Sequence, residues 1–314
     1  MYITGIGHYF PQHILTNAYF EKKYGIADED IVLKSGILER RKALARENTN
    51  TMALEAVQQA LPDLPFSVSE VNLIIGATYS PFDTVGTLAH AVQHHFNISG
   101  AKALAISSAC SSVCNAVEIA DAFFKTGKAD KALVVASEHN TAYNNEGDKA
   151  SGFLWGDGAA AFFLSRDRYS EDDPEILDVT STGLGNVGQG IHAVYLRPSD
   201  GGIKMPFGRD VFQFACKYML NETEQILHKN NLTTADLAYL IPHQANLRII
   251  DYVRKAMNLK EDQVIVNLDK LGNTGCPSAL IGLSQHWQVF RKGDVIVIVV
   301  FGGGYSTGAI LIRR

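Results

Sequence analysis

The sequence predicts an α/β protein built from two similar halves. Three observations carry that expectation. Apolar, often β-branched runs recur without polar alternation, as in strands covered on both faces. Segments with apolar residues at helical spacing lie between them. The order helix, buried strand, polar turn occurs twice, near 52–80 and again near 211–246. Strands alternating with helices further argue for mostly parallel sheets.

In chain order, the opening Met1-Tyr2-Ile3-Thr4-Gly5 reads directly into a strand. Met52, Ala53, Ala56, Val57 and Ala60 mark a helix ahead of a buried run at 71–76. A short apolar strand at 103–106 precedes a second helix, in which Val113, Ala116, Val117, Ala120, Phe123 and Phe124 form one stripe and Gly127 marks the stop. Runs at 132–136 and 159–164 give a hairpin-like pair. The acidic stretch Ser170-Glu171-Asp172-Asp173-Pro174 is the natural joint, so the predicted halves are 1–169 and 170–314. The second half repeats the pattern with a strand at 237–241 and a closing pair at 295–301 and 308–312, separated by Gly302-Gly303-Gly304.

Composition narrows the function. With 314 residues, 46% hydrophobic and 19% charged, the chain has the profile of an ordinary globular protein. A formal net charge of −5 argues against general nucleic-acid binding and confines any basic patch to a local one. No apolar stretch approaches the ~20 residues of a membrane span, and the N-terminus lacks a signal segment; the expected location is the cytoplasm. Four cysteines, Cys110, Cys114, Cys216 and Cys276, are too few for a disulfide scaffold and lack the paired spacing of a zinc site. A nucleophilic thiol is the remaining chemical use.

Cys110 lies in Ile106-Ser107-Ser108-Ala109-Cys110-Ser111-Ser112, between a strand and a helix. A helix N-terminus offers unpaired N–H groups and partial positive charge, which stabilise a thiolate capable of attacking a thioester. The other reading is an inert buried thiol; Cys114, one turn on, fits that description better. His243 stands at the C-terminal tip of a buried strand, where open α/β sheets gather ligands. Asn273 occupies a Gly-bounded turn, Leu271-Gly272-Asn273-Thr274-Gly275, and either supports that turn or serves a site. The Gly302–Gly304 run is either a plain bend or a loop whose N–H groups approach a ligand as an oxyanion hole. No helix start or Lys-Ser/Thr pair follows it, which disfavours phosphate binding.

Taken together these segments resemble β-ketoacyl-acyl-carrier-protein synthase III, within the thiolase-like condensing enzymes. The matching pieces are Ser35-Gly36-Ile37-Leu38-Glu39-Arg40-Arg41, Ala109-Cys110, Phe153-Leu154-Trp155-Gly156-Asp157-Gly158-Ala159-Ala160, His243-Gln244-Ala245-Asn246-Leu247-Arg248-Ile249-Ile250, Gly272-Asn273-Thr274 and Phe301-Gly302-Gly303-Gly304. The resemblance implies a thiolase-like five-layered α-β-α-β-α fold, usually homodimeric, that needs no metal or organic cofactor. It implies that Cys110 carries the acyl group, with the amides of Cys110 and Gly303 as oxyanion hole. His243 and Asn273 would stabilise the enolate formed as a malonyl thioester loses carbon dioxide. Acyl-carrier protein and acyl and malonyl thioesters are the implied partners.

Departures from the family pattern bear on substrate. Asp30 stands where a tryptophan stacks on the coenzyme A adenine, and Lys149 replaces the arginine opposite it. Losing an aromatic partner forfeits roughly 1–3 kcal/mol of stacking, which favours a carrier protein as donor of both substrates. Lys34 stands where an arginine is common, and Arg209 replaces an asparagine that contacts pantetheine. Val85 occupies the position of a phenylalanine that closes the acyl pocket across the dimer, which predicts room for a longer acyl group unless Phe82 takes over that task. Arg248, Arg254 and Lys255 form the expected basic docking patch for an acidic carrier protein. Three alternatives remain: a secondary-metabolism relative that joins longer acyl or β-ketoacyl chains or transfers an acyl group to another acceptor, an inactive partner of a heterodimer, and a degradative thiolase. The intact Cys110, His243 and Asn273 argue against the second. The third lacks a second cysteine in the C-terminal glycine run.

Overall fold

A computed structural model describes residues 1–314. The first segment contains β1 (Tyr2–Tyr9), β2 (Ile14–Thr16), α1 (Asn17–Tyr24), α2 (Asp28–Ser35) and β3 (Glu39–Arg41), which pairs back on β2. Then come α3 (Thr49–Ala60), β4 (Leu73–Ala77), α4 (Leu88–His95), β5 (Lys102–Ile106), α5 (Ser112–Lys125), β6 (Lys131–Glu138) and β7 (Gly158–Ser165). Beyond the acidic joint follow β8 (Glu175–Gly183), a ribbon of β9 (Tyr195–Arg197) and β10 (Gly202–Lys204), α6 (Gly208–Lys229) and β11 (Leu237–Pro242). The chain ends with α7 (Leu247–Ala256), α8 (Leu268–Leu271), α9 (Ser278–Gln285), β12 (Val295–Gly302) and β13 (Ser306–Arg313).

Nine strands run in the order β11-β12-β13-β8-β1-β7-β6-β4-β5, and the only pairing between the two half-sheets is Tyr2 with Glu175. Helix α5 touches β4 and β6 of one half-sheet and β8 and β13 of the other; α9 touches β1 and β7 as well as β11 and β12. These two helices therefore fill a layer between the half-sheets. Helices α3 and α4 cover the outer face of the first, and α6 with α7 cover the second. The result is the five-layered α-β-α-β-α arrangement.

Layering explains the sequence patterns. Strands β6, β7, β12 and β13 have apolar layers on both faces, so nearly every residue in them is buried. The stripe on α5 places Val113, Ala116, Val117, Ala120 and Phe124 in the inner layer. Helix α3 starts cleanly because Asn48 Oδ1 accepts from the Asn50 and Thr51 N–H groups, while Thr51 Oγ1 accepts from the Asn48 N–H. No helix is long and apolar enough to cross a membrane.

The expectation of mostly parallel sheets is corrected. Pairs β4–β5, β4–β6 and β11–β12 are parallel, whereas β1–β7, β6–β7, β12–β13 and β8–β13 are antiparallel. An apolar run reports that both faces are covered, not which way the neighbouring strand points.

Candidate active site

The repeated order of elements gives the two half-sheets equivalent loops. The Cys110 loop precedes inner helix α5, and the 272–277 loop precedes inner helix α9. Likewise Tyr79 follows β4 as His243 follows β11, and Trp155 precedes β7 as the glycine run precedes β13.

Cys110 follows Ala109, whose φ of 51° is left-handed and unusual for a residue with a Cβ. Neighbouring serines hold this turn. The Ser111 hydroxyl donates to Ser306 Oγ (2.7 Å), Ser306 donates to the Ser108 carbonyl (2.9 Å), and Ser112 Oγ donates to the Ala109 carbonyl (2.6 Å). Cys110 itself precedes α5, whereas Cys114 lies within it and is fully buried as filler in the inner layer. A Cβ on Gly302 would sit 2.7 Å from the Cys110 nitrogen and 3.2 Å from its Cβ, so only glycine lets β12 end against this loop.

The Cys110 thiol is not the stabilised thiolate that the helix start predicts. Burial pushes its pKa up to about 12, the Glu138 charge adds to that rise, and the amides of Gly303 and Cys110 offset it only in part. Desolvation outweighs those two amides. Glu138 itself, at the end of β6, is pushed up to about 8 by burial. Its carboxyl accepts from the Tyr79 N–H (3.1 Å), the Ser80 N–H (3.0 Å) and Thr78 Oγ1 (3.0 Å), and it also meets the Ser80 hydroxyl. Below pH 8 the carboxyl is mostly protonated and its contribution to the thiol fades.

His243 is 4% exposed, and burial lowers its pKa to about 4, so the imidazole is neutral at physiological pH. Its Nδ1 lies 2.7 Å from Ser278 Oγ, at the start of α9. Asn273 Oδ1 accepts from the Gly275 N–H (2.9 Å), and the Asn273 backbone pairs with Leu154 and Gly156 around Trp155. Gln244, buried beside His243, donates to the Pro242 and Ile265 carbonyls and accepts from the Asn267 and Leu268 N–H groups.

A cavity of about 90 Å³ adjoins Cys110, walled by Tyr79, Ala109, Trp155, Gly303, Val194 and the ribbon residues Tyr195, Leu196 and Ile203. The Tyr79 hydroxyl donates to Asn140 Oδ1 (2.8 Å), and the Asn140 amide donates to the Gly156 carbonyl (2.8 Å) and the Asn273 carbonyl (3.3 Å). This links the cavity wall to the Asn273 turn. Tyr79, Glu138 and Asn140 went unrecognised in the sequence. Their only signal is a polar residue just past a buried apolar run.

Other expected residues lie elsewhere. Within a single chain, Val85 and Phe82 are exposed and neither borders the Cys110 cavity; Phe82 instead lines a separate depression of about 390 Å³ with Ala43, Asn48 and Tyr143. Lys34, Lys149 and Arg209 are exposed. Arg248 is exposed at the start of α7, its guanidinium 5.4 Å from the Phe212 ring one turn along α6 from Arg209. Lys255 is exposed, but Arg254 does not join it as expected. Arg254 pairs with Asp251 (3.3 Å) and Glu261 (3.8 Å), with only 17% of its side chain exposed.

Comparison with known proteins follows the same lines. Family models match at residues 104–185 (3-oxoacyl-[acyl-carrier-protein (ACP)] synthase III) and 227–314 (the C-terminal part of the same family). The β-ketoacyl-[acyl-carrier-protein] synthase III of Aquifex aeolicus (strain VF5) is 36% identical, with 99% of this chain and 98% of the relative covered. A crystal structure of the 3-oxoacyl-[acyl-carrier-protein] synthase III from Aquifex aeolicus VF5 superposes with a TM-score of 0.92 at 34% identity, covering 100% of this chain and 99% of that one. The priming β-ketosynthase of the R1128 polyketide biosynthetic pathway gives 0.90 at 27% identity, covering 100% and 96%.

Proposed function

Because the chain belongs to the 3-oxoacyl-[acyl-carrier-protein] synthase III family of condensing acyltransferases, we propose that Cys110, His243 and Asn273 divide a two-step reaction between them. First, the Cys110 sulfur attacks an acyl thioester; the new S–C bond forms, the donor's S–C bond breaks, and the proton leaves with the departing thiol. The amides of Cys110 and Gly303 hold the tetrahedral oxyanion. Second, a malonyl thioester loses carbon dioxide, and the electron pair left behind becomes an enolate. Its carbon attacks the acyl-cysteine carbonyl, and the cysteine sulfur leaves and is reprotonated from solvent. The product is a 3-oxoacyl thioester.

One observation carries the assignment of the second step. His243 and Asn273 are each anchored through one polar atom to the 273–278 loop, Nδ1 at Ser278 and Oδ1 at the Gly275 N–H. With Ser278 donating, the imidazole proton lies on Nε2; with its oxygen held, Asn273 has its NH₂ free. Both then serve as donors to the enolate oxygen, and a low pKa keeps His243 a neutral donor rather than a cation.

Intact-protein mass spectrometry tests both roles. Cys110→Ala is expected to take up no acyl group; normal loading would refute the nucleophile. His243→Ala and Asn273→Ala are expected to load normally but to condense about 10²-fold more slowly, since one such donor contributes ~3 kcal/mol. Wild-type condensation in either variant would remove that residue from the mechanism.

In this reading the acyl and malonyl groups arrive on a carrier protein that docks at Arg248, and the enzyme is a homodimer in which Val85 and Phe82 face the partner's acyl site. Asp30 and the exposed Lys149 give the coenzyme A adenine no aromatic platform. An acyl-coenzyme A Michaelis constant as low as that of the acyl-carrier protein would contradict the donor assignment. A place in secondary metabolism is the second reading, favoured by Asp30 and by the likeness to the R1128 priming ketosynthase.

A further inference from the structure

Asn140 lies two residues beyond Glu138 and is fully buried, with both ends of its amide engaged. Its NH₂ donates to the carbonyls of Gly156 (2.8 Å) and Asn273 (3.3 Å), and its oxygen accepts from the Tyr79 hydroxyl (2.8 Å). Carbonyls only accept, so this partner set fixes which way the amide faces. The two carbonyls belong to one clamp. Asn273 N–H donates to the Leu154 carbonyl at 2.8 Å, and Gly156 N–H donates to the Asn273 carbonyl at 3.0 Å, around the bridge between Trp155 and Asn273. Tyr79 closes on the same turn. A Cβ on Gly275 would lie 2.2 Å from the Tyr79 hydroxyl, and it is the Gly275 N–H that holds Asn273 Oδ1. No other bond holds the Asn273 side chain, so the direction of its NH₂ follows the backbone of this turn.

We infer that Asn140 is a positioning residue for condensation, acting through Asn273 and not on the substrate. Asn140 is not among the residues that wall the Cys110 cavity. Removing its amide would leave the Gly156 carbonyl and the Tyr79 hydroxyl without these partners, and the turn would relax to find others. A displaced enolate donor loses rate steeply with distance. The Cys110 loop is held separately, by Ser111, Ser112 and Ser306, so acyl loading does not depend on this amide. The two chemical steps therefore come apart at Asn140. This inference rests on the ketosynthase reading above, in which Asn273 donates to the enolate oxygen.

The test loads Cys110 with butyryl-pantetheine, followed by intact-protein mass spectrometry. Saturating malonyl-pantetheine is then added to the acyl-enzyme, and the 3-oxohexanoyl product is counted. Asn140→Ala is expected to load within about twofold of the wild-type rate but to form product about tenfold more slowly. In an Asn273→Ala background the same substitution should slow product formation no further, because the donor it positions is gone. Three results would overturn the proposal and leave the ketosynthase reading intact: wild-type condensation in Asn140→Ala, an equal loss of loading and condensation, or a tenfold loss that persists without Asn273. If Asn140→Ala does not fold, Tyr79→Phe carries the same comparison, since it removes only the hydroxyl that Asn140 accepts. Its condensation should slow about threefold with Asn273 present and not at all without it; a wild-type rate there overturns the proposal. Wild-type condensation in Asn273→Ala alone, or no loading of Cys110, would overturn the reading on which it rests.

Discussion

Cys110 is 9% exposed and stands directly before a helix, two features that pull its thiol in opposite directions. Burial raises the pKa from an ordinary value near 9 to about 12, so the thiol is protonated at neutral pH. The consequence is measurable. Alkylation of Cys110 by iodoacetamide should be about 10³-fold slower at pH 8 than that of an ordinary cysteine, because the thiolate fraction falls tenfold per unit of pKa rise. The rate should climb about tenfold per pH unit through pH 10 without levelling off. A plateau by pH 8, followed on Cys110 by peptide mapping, would show a thiolate at rest. The sequence could not foretell this. It displays the helix start but not the desolvation, which depends on segments distant in sequence, those of Tyr79 and Trp155 among them, closing around Cys110. Cys110, His243 and Asn273 could be singled out as candidates because each sits in a run of matching neighbours. Glu138 could not, since a lone carboxyl after an apolar run differs in no visible way from a solvated strand end.

At the scale of elements, the end of β12 and the turn before α5 approach each other without side chains between them. Gly302 permits that approach, because any Cβ there would press on the Cys110 backbone nitrogen, which has little freedom to yield. Gly302→Ala is therefore expected to displace Cys110 by a few tenths of an ångström, while the strands pair as before. Acyl loading should fall about tenfold or more, since catalytic geometry tolerates less displacement than packing does. Loading measured beside the thermal midpoint checks this; a wild-type rate would show that the turn shifts freely. Elements were well read from the sequence. The runs at 132–136, 159–164 and 295–301 fall inside β6, β7 and β12, and the α5 stripe is buried as its spacing requires except at Phe123, which is half-buried at its edge. Strand direction was not legible, because residues covered on both faces look the same in parallel and antiparallel neighbours.

At the scale of the whole molecule, the repeated topology brings the site together: two inner helices start at the same end of two half-sheets, so loops more than 150 residues apart in sequence become neighbours. Two exposed cations, Arg248 and Lys34, lie close to the His243 loop. Arg248 lies in the first turn of α7 next to Phe212; Asn246 caps that helix, its side chain accepting from the Arg248 N–H and donating to the Lys34 carbonyl at 2.9 Å. On a chain of net charge −5 these cations form a local exception, suited to steering an acidic carrier protein. Arg248→Glu should weaken carrier-protein binding about tenfold at low salt, and the deficit should shrink once the Debye length falls to about 3 Å near 1 M salt. Lys255→Glu, two helical turns away, should have a smaller effect of the same kind. Arg254→Glu should behave differently. That guanidinium is already committed to Asp251 and Glu261, so reversing it sets three carboxylates together and lowers the thermal midpoint without a salt-dependent loss of binding. Calorimetric titration with carrier protein across a salt series separates the three variants. An Arg248→Glu enzyme with wild-type affinity throughout the series would place docking on another surface.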